Sequence, residues 1–382
     1  MKKDWGLYAV VALLLLVTPL VGRVVSPRPT PLPKGTGVGE FRQSWRVLEP
    51  ITRRNLSIYP VVSTLGADTS AFLTLDEGLA AGSVRILERG QVDSALYRRR
   101  NPERWPRQQQ QEWPGSGASV NELVLVNDSS RPLILLAGEV VSGGKQNRII
   151  GADLVVPPKS DPLPLTVFCV EHGRWSAGGG AFGAGKAIAH PEIRKQAQLQ
   201  KSQQGVWESV ERAATGLAAA SPTQDYAHVL NSPAAKRRMD EVAASIEGEY
   251  ERELRDQIRG RGAVGVVVAI NGQLVWSDVF SSPDLFRKYW PKLLRSYVME
   301  AESRAWGFDE SGQGRKMFGV PGVKQAEGFL LEDRGRVSIK TEPAAYRRTE
   351  ISSGDYQIVA LEAVEKSEES GLLIHYNKME RG

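Results

Sequence analysis

Residues Val264–Phe280 have the sequence VGVVVAINGQLVWSDVF, and they carry the clearest local structural signal in the chain. Two runs of apolar and β-branched residues, Val264–Ile270 and Gln273–Phe280, flank the dipeptide Asn271-Gly272. Both residues of this dipeptide readily adopt the positive φ angles that a two-residue type I′ turn requires. The sequence therefore predicts a β-hairpin whose strands pair closely on either side of this turn.

A helix is predicted to follow the hairpin and to cover it. Ser282-Pro283-Asp284 is a typical helix start, with serine as the N-cap and proline in the first turn. The helix is expected to run to about Ser303, and Pro291 inside it should produce a kink. Its apolar residues recur every three or four positions, which predicts one buried stripe. They are Phe286, Tyr289, Leu293, Tyr297 and Ala301.

The part of the chain from residue 41 to 175 is rich in short runs of apolar or β-branched residues, which favour strands. The predicted strands are Tyr59–Leu65, Phe72–Leu75, Val84–Leu87, Val120–Val126, Leu133–Val141, Asn147–Val156 and Leu165–Val170. A polar segment, Arg98–Gly117, interrupts them and is predicted to be an exposed loop. Two further strands, Tyr356–Leu361 and Leu372–Tyr376, are predicted in the C-terminal tail.

Residues 188–258 change to a helical pattern. Ser232-Pro233 is a good helix start, and Gly260 is a good stop. The apolar residues between them recur at helical spacing, at Met239, Val242, Ile246, Tyr250, Leu254 and Ile258. A strand-rich first part, a helical middle, and a hairpin with an amphipathic helix near the C-terminus indicate an α+β fold, not a regularly alternating α/β sheet.

The N-terminal segment has the features of a membrane-targeting sequence. Two lysines precede an uncharged, mostly apolar run from Trp5 to Gly22, which is the order of a positive region and an apolar region in such signals. The run approaches the ~20 residues that span a bilayer. The residues around Leu20–Arg23 make a poor cleavage site. We therefore expect residues 1–25 to be a retained single-pass anchor, with a cleaved signal peptide as the alternative.

Residues 26–40 are rich in proline and glycine and are expected to form a semi-rigid spacer. The remainder, 41–382, is expected to be one globular α+β domain, or two lobes that correspond to 41–175 and 188–382. If the anchor is retained with its basic end in the cytoplasm, the domain is membrane-anchored and extracytoplasmic. After cleavage it would be secreted or periplasmic.

The composition argues against several functional classes. The 382 residues include 49 basic and 44 acidic side chains, for a net charge of +5. These charges are interspersed, and no basic stripe or reading motif is present, so we expect no nucleic-acid partner. A single cysteine, Cys169, excludes an intrachain disulfide, and its apolar surroundings predict a buried strand. The four histidines lack metal-ligand spacing, and we expect neither a metal nor a cofactor.

Polar residues are concentrated in two neighbouring segments, GEVVSGGKQNR (Gly138–Arg148) and CVEHGRW (Cys169–Trp175). Polar groups at the ends of apolar strands are held rigidly enough to form a site. Candidate binding residues for a small polar or anionic ligand are Lys145, Gln146, Arg148, Arg174 and Trp175. Glu139 and Glu171 are candidates for a general acid and base, if burial raises the pKa of one of them.

The same residues also allow a purely structural interpretation. The glycine pair Gly143-Gly144 suits a two-residue hairpin turn. Such a turn would place Glu139 opposite Arg148 on the neighbouring strand. The two side chains would then form an ordinary cross-strand ion pair.

The segment Gly180–Lys186 matches the G-x-x-x-x-G-K spacing of a phosphate-binding loop. Ala187 follows it, where a magnesium-binding loop has serine or threonine. No apolar strand leads directly into the segment. We therefore interpret it as a flexible glycine-rich linker.

Four stretches of the chain resemble a known protein family. They are Asn127–Ser160, Leu163–Trp175, Gln204–Val210 and Gly262–Ala301. Together they are similar to the ARG-and-rhodanese-phosphatase-superfamily-associated protein family over roughly residues 45 to 305. The resemblance implies one integrated domain from about residue 41 to the tail, and it implies no catalytic residues, because the family carries no established activity. The chain departs from the commoner form of the family in its membrane segment and in the glycine-rich stretch after Trp175.

Three hypotheses follow for function. The first is a non-enzymatic binding or interaction domain displayed from a membrane, with its ligand site around Glu139–Trp175. The second is an acid/base enzyme of hydrolase type, which requires Glu139 and Glu171 in one pocket within about 10 Å of each other. The third is a scaffold whose helices between 188 and 303 bind a protein partner. Exposed apolar stripes on those helices would support it.

Overall fold

The computed structural model describes residues 38–88, 122–173, 180–219, 223–257, 262–304, 319–342, 345–364 and 371–381. Its elements form the mixed α+β fold predicted from the sequence. The strands are β1 (Trp45–Val47), β2 (Ile51–Arg53), β3 (Leu56–Ser63), β4 (Leu73–Thr74), β5 (Val84–Glu88), β6 (Glu122–Asn127), β7 (Leu133–Leu135), β8 (Glu139–Gly143), β9 (Arg148–Ile150), β10 (Leu154–Val156), β11 (Leu163–Cys169), β12 (Phe182–Ile188), β13 (Ala263–Ile270), β14 (Gln273–Phe280), β15 (Arg336–Glu342), β16 (Tyr346–Ser352), β17 (Tyr356–Ala363) and β18 (Leu372–Glu380). The helices are α1 (Val38–Ser44), α2 (Leu75–Ala80), α3 (Pro191–Lys195), α4 (Gln203–Gly216), α5 (Tyr226–Asn231), α6 (Pro233–Gln257), α7 (Pro283–Ser303) and α8 (Val323–Leu331), and a π-helical turn, Gln196–Gln200, follows α3.

A nine-stranded sheet contains the predicted hairpin near its middle. The strand order is β1-β3-β13-β14-β18-β17-β16-β15, and β2 also pairs with β3. The turn of the hairpin is the predicted one, because Ile270 pairs with Gln273 and both Asn271 and Gly272 have positive φ, at 53° and 76°. β3 and β18 pair with the outer edges of the hairpin, so β13 and β14 are interior strands.

The nine-stranded sheet is apolar on both faces. All of β13 is buried. Val266 and Val268 belong to a core cluster that includes the helices α4 to α7. Val264 and Val267 belong to a second cluster on the other face, which includes residues of α1 and α8. This sheet is therefore the centre of a layered structure with helices on both sides.

The predicted helix after the hairpin is confirmed as α7. Ser282 is its N-cap and accepts hydrogen bonds from the backbone of the first turn, and Pro291 lies inside the helix. The start of α6 at Pro233 is also confirmed. Tyr250 of α6 stacks on Trp290 of α7 with ring centroids 4.8 Å apart, so these two long helices pack against each other.

Two smaller sheets carry the polar segments. One has the order β12-β8-β9-β11-β6-β5 and the other β10-β7-β4. The prediction of continuous strands over Leu133–Val141 and Asn147–Val156 is wrong, because each segment divides between the two sheets. The bend after β7 occurs at Gly138, where φ is +88°. A Cβ at this position would lie 2.5 Å from Cγ of Arg194, so the bend depends on glycine.

The β8–β9 hairpin has a different register from the predicted one. Val141 pairs with Arg148, which shifts the ladder by two residues and leaves Glu139 away from Arg148. The turn is longer than two residues because the Asn147 side chain accepts the N–H of Gly143 at 3.1 Å and closes it as a wider loop. The predicted cross-strand ion pair is therefore wrong.

The prediction of a flexible linker over Gly180–Lys186 is also wrong. Most of this segment belongs to β12, which pairs antiparallel with β8 as the last strand of its sheet. Small residues allow the close approach, since a Cβ on Gly185 would lie 2.7 Å from the Val140 side chain. β12 thus places Lys186 beside β8.

Several expectations fall on residues outside the described part of the chain. These include the anchor at 1–25, the loop Arg98–Gly117 and most of the spacer at 26–40, of which only Val38–Glu40 are described, as the start of α1. Among the helices that the structure describes, none is long and apolar enough to cross a membrane. The exposed large apolar side chains of the described residues lie outside the helices between 188 and 303, at Leu65, Val320, Leu331, Val337 and Ile339.

Candidate functional site

Glu139, the first residue of β8, is buried and fixed on both carboxylate oxygens. One oxygen accepts a hydrogen bond from Nζ of Lys292 at 2.7 Å, and the other accepts one from the N–H of Leu136 at 2.8 Å. Lys292, on α7, also contacts the Asp76 carboxylate at 2.8 Å. Burial alone would lower the pKa of Lys292, but Glu139 and Asp76 raise it above its usual value. Burial raises the pKa of Glu139 above its usual value, although Lys292 opposes this shift. The Lys292 ammonium is therefore held in one position between the two carboxyl groups.

Gln146, Arg148 and Glu171 form a separate internal cluster. The Gln146 side chain donates to the backbone oxygen of Glu171 at 2.8 Å and accepts from the Cys169 thiol at 2.8 Å. A carboxylate oxygen of Glu171 accepts the N–H of Asn147 at 3.2 Å. Gln146, Arg148 and Glu171 are all buried. These contacts tie the β8–β9 turn to the end of β11.

Cys169 is buried at the end of β11, as predicted. Burial raises the pKa of its thiol to about 11. Lys145 lies in the β8–β9 turn and is half-buried, and its N–H donates to the Glu88 carboxylate at 2.9 Å. The candidate residues Arg174 and Trp175 lie outside the described residues.

The two candidate carboxylates do not share a pocket. Val141, Arg148 and Cys169 lie side by side on neighbouring strands. β8 and β11 run in the same direction, because both are antiparallel to β9. Glu139 lies two residues before Val141, and Glu171 lies two residues after Cys169, so the two carboxylates lie on opposite sides of this row. Four residue steps at about 3.3 Å each separate them by roughly 13 Å along the strands alone. The geometry therefore gives no support to acid/base chemistry that needs both groups.

A cleft of about 390 Å³ lies beside the Glu139–Lys292 pair, between β8, β12 and the helices α5, α6 and α7. Its charged lining residues are all cationic, namely Lys186, Lys236, Lys292 and Arg295. The remaining lining residues are Val140, Ser142, Gly185, Ala187, Ile188, Ala227, Leu230, Asn231, Met239 and Ser296. We call this feature the basic cleft.

Two of the four cations in the basic cleft are already paired. Lys292 contacts Glu139 and Asp76, and Arg295 pairs with Asp240. Lys186 and Lys236 are exposed, and neither has a carboxylate partner among the described residues. Lys186 also has a positive φ of 50°, a backbone conformation that residues other than glycine adopt only at a cost in free energy. These two lysines supply the unbalanced positive charge of the cleft.

Only part of this site could be found from the sequence. The sequence identified Glu139 and the β8 segment. It did not identify Lys236, Lys292 and Arg295, because these three residues lie on helices that were predicted from their apolar residues alone. Lys292 offered a signal, since it lies three residues after Tyr289 and one before Leu293, both on the apolar stripe of α7. A lysine on a buried face indicates a fixed partner.

The sequence model of the ARG and Rhodanese-Phosphatase-superfamily-associated Protein domain matches residues 44–377. The chain belongs to this family. The match confirms the resemblance found in the sequence and extends it from about residue 305 to 377, so that it includes β15 to β17 and most of β18. No curated protein and no solved structure matched the chain.

The chain also contains a buried charge network centred on Asp278 of β14. The Asp278 carboxylate accepts two hydrogen bonds from Arg194, at 2.8 and 2.9 Å, and one from Trp276 at 2.9 Å. His375 of β18 bridges two carboxylates, with Nε2 3.0 Å from Asp278 and Nδ1 2.6 Å from Asp153. Asp278, Arg194, His375 and Asp153 are completely buried.

The network is held in charged form by its own members. Burial alone would raise the pKa of Asp278, but Arg194 and His375 hold it well below its usual range. Burial alone would lower the pKa of His375, but Asp153 and Asp278 raise it to about 9. The network therefore joins the nine-stranded sheet to α3 and to the loop before β10 through charge-assisted hydrogen bonds.

A second cleft, of about 440 Å³, reaches Asp153 between β11, the π-helical turn and β16. Its lining combines the cations Lys201, Lys340 and Arg348 with the carboxylates of Asp153 and Glu350, and Arg348 already pairs with Glu350 at 3.1 Å. Charges of both signs leave this cleft with less excess positive charge than the basic cleft. Among the described residues, no group of three or more His, Cys, Asp or Glu side chains could hold a metal ion.

Proposed function

We propose that this protein is a ligand-binding domain and that the basic cleft takes a small anionic molecule. The proposal rests on one observation, the set of four cationic side chains in a cleft that no carboxylate lines. A volume of about 390 Å³ falls in the range of small-molecule sites, which is roughly 300–1,000 Å³. An anion of this size with a short carbon skeleton fits both the charge and the apolar lining.

The four cations have different roles in this proposal. Lys292 is held by Glu139 and Asp76 before any ligand arrives, so that little side-chain freedom is lost on binding. Lys186 and Lys236, which lack carboxylate partners in the described part of the chain, supply the net attraction. Glu139 is thus a positioning residue for Lys292, which replaces its predicted role as an acid or base.

The polar residues of the lining suit the carbonyl or hydroxyl groups of such a ligand. Ser142, Asn231 and Ser296 lie in the same cleft as the cations. Val140, Ile188 and Met239 provide apolar surface for the carbon skeleton. A cleft that combines a few polar groups with apolar walls is typical of small-molecule sites.

In this proposal the binding domain is displayed outside the cytoplasm. Residues 1–25 anchor it in the membrane, and the proline- and glycine-rich residues after them hold it away from the bilayer. The cleft would then be accessible to ligands on the outer side of the membrane. Cleavage of the segment would give the same binding domain in secreted or periplasmic form.

The proposal is tested by titration calorimetry of the full chain with inorganic phosphate and with succinate at low ionic strength. We expect at least one of these anions to bind, and the affinity to fall about tenfold or more in the Lys186→Gln/Lys236→Gln variant. The matched control is Lys324→Gln, which removes an exposed lysine on α8 far along the chain from the cleft. Wild-type affinity in the double variant, or no binding of either anion to the wild type, would contradict the proposal.

A further inference from the structure

β15 is the strand at one end of the nine-stranded sheet, and it has one unpaired edge in the described structure. β15 pairs with β16 along one side, and no described strand pairs with its other side. All of its residues are exposed. Its outward backbone N–H and C=O groups therefore form a template on which another strand can pair.

Natural sheets usually protect such edges with bulges, prolines or charged side chains; β15 contains charged residues, but it has neither a bulge nor a proline. Its pairing with β16 is regular over seven residue pairs, from Arg336–Ser352 to Glu342–Tyr346, without a bulge. Val337 and Ile339 are 56% and 42% exposed. Because side chains alternate along a strand, both lie on the same face.

We propose that β15 is a self-association edge, and that β15 of a second copy of this chain pairs with it antiparallel across a twofold axis at Ile339. The sequence of β15 is RVSIKTE, and it is complementary to itself in this register. Arg336 lies opposite the partner's Glu342, and Glu342 lies opposite the partner's Arg336. Ile339 lies opposite the partner's Ile339, which buries two exposed apolar side chains together.

Neighbouring registers lack this complementarity. A twofold axis at Ser338 would place Arg336 opposite the partner's Lys340, and an axis at Lys340 would place Lys340 opposite the partner's Lys340. Like charges directly opposite each other destabilise a strand pair. The register centred on Ile339 is also the one that pairs all seven residues of β15. Charge and length therefore select the same arrangement.

Within one copy, Glu342 lies 3.4 Å from Lys340, and both side chains are about half exposed. This surface contact is weak and lies on the same face as Arg336.

Two seven-residue strands cover less than the ~1,600 Å² of a standard interface. We therefore expect a weak dimer.

The register is tested by oxidative cross-linking of the full chain, in which the natural Cys169 is buried. Ile339→Cys places a thiol opposite its own copy, and we expect a covalent dimer on mild oxidation. Val337→Cys is the matched control, on the same face of the same strand. Its two copies would be four residue steps apart, about 13 Å, and we expect at least fivefold less cross-linked dimer.

Charge exchange provides the second arm of the test. In the Ile339→Cys chain, Glu342→Arg would set arginine against Arg336 at both ends, and we expect the yield of dimer to fall at least fivefold. Adding Arg336→Glu restores opposite charges, and the yield should recover. Equal cross-linking of the two cysteine variants, no effect of Glu342→Arg, or a monomer throughout would overturn the proposal.

Discussion

His375 is completely buried between the carboxylates of Asp153 and Asp278. Burial opposes its protonation, but the two carboxylates raise its pKa from 6.5 to about 9. A group whose pKa is raised by folding stabilises the protein fully below its unfolded pKa, and this contribution is lost as the pH rises through the folded pKa. We expect stability to decline between about pH 6.5 and pH 9, by up to ~3 kcal/mol.

Urea unfolding midpoints from pH 6 to 10 measure this loss, with His375→Gln as the test variant and the exposed His228→Gln as the control. Lys378 acts in the opposite direction, because burial lowers its pKa to about 8 and its charge therefore destabilises the fold at lower pH. The difference between wild type and His375→Gln isolates His375. If that variant keeps the alkaline decline of the wild type, His375 is not its source.

At the scale of residues, the sequence located polar positions better than it located their partners. The sequence singled out Glu139 as a polar residue on an apolar strand, and in the structure this residue is buried at the start of β8. Its partner Lys292 lies 153 residues later in the chain. Local spacing instead predicted Arg148 as the partner of Glu139. The observed β8–β9 register differs from the predicted one by two residues, so these two residues are not opposite each other. Partners from distant elements are fixed by tertiary packing, and a single sequence does not encode that packing in any local pattern.

Among the elements, two glycines should respond to alanine in opposite ways. Gly138 has a φ of +88°, and a Cβ there would meet Arg194, which is bound to Asp278. Gly138→Ala should therefore destabilise the protein by about 2 kcal/mol or more. Gly248 is exposed on α6 with open space around it. Gly248→Ala should stabilise it by roughly 0.5–1 kcal/mol. Chemical denaturation of both variants tests the pair, and a neutral Gly138→Ala would contradict our account of the bend after β7.

The two glycine-containing turns show why one hairpin was predictable and the other was not. Asn271-Gly272 joins two long strands of the same sheet, so the local turn preference agreed with the pairing. The residues that follow Gly143-Gly144 form hydrogen bonds that a two-residue turn does not include. Asn147 closes the turn through Gly143, and the N–H of Lys145 donates to Glu88 on a strand far earlier in the chain. These contacts outweighed the preference for a two-residue turn.

For the whole molecule, the fold class was predictable and the strand order was not. The grouping of strands, helices and the final hairpin indicated α+β correctly. The central pairing of β3 with β13, for example Tyr59 with Val267, joins residues separated by about 200 positions. Antiparallel strands so far apart in sequence carry no turn signal between them. Only the burial of complementary apolar faces selects such a pairing, and many alternative strand orders satisfy the same pattern.

The central sheet leads to the last prediction, which concerns cooperativity. One expectation from the sequence was a division into lobes at 41–175 and 188–382. In the nine-stranded sheet, β3 of the first segment lies between β1 and β13, and Ile58 and Phe168 share a core cluster with residues of α6 and α7. Separation of the segments would expose β13, whose residues are all buried. We therefore expect one unfolding transition in urea, with coincident curves from tryptophan fluorescence and far-ultraviolet circular dichroism. The separately expressed segments should not fold. Two resolved transitions, or a soluble folded fragment of 188–382, would show that the lobes are independent despite the shared sheet.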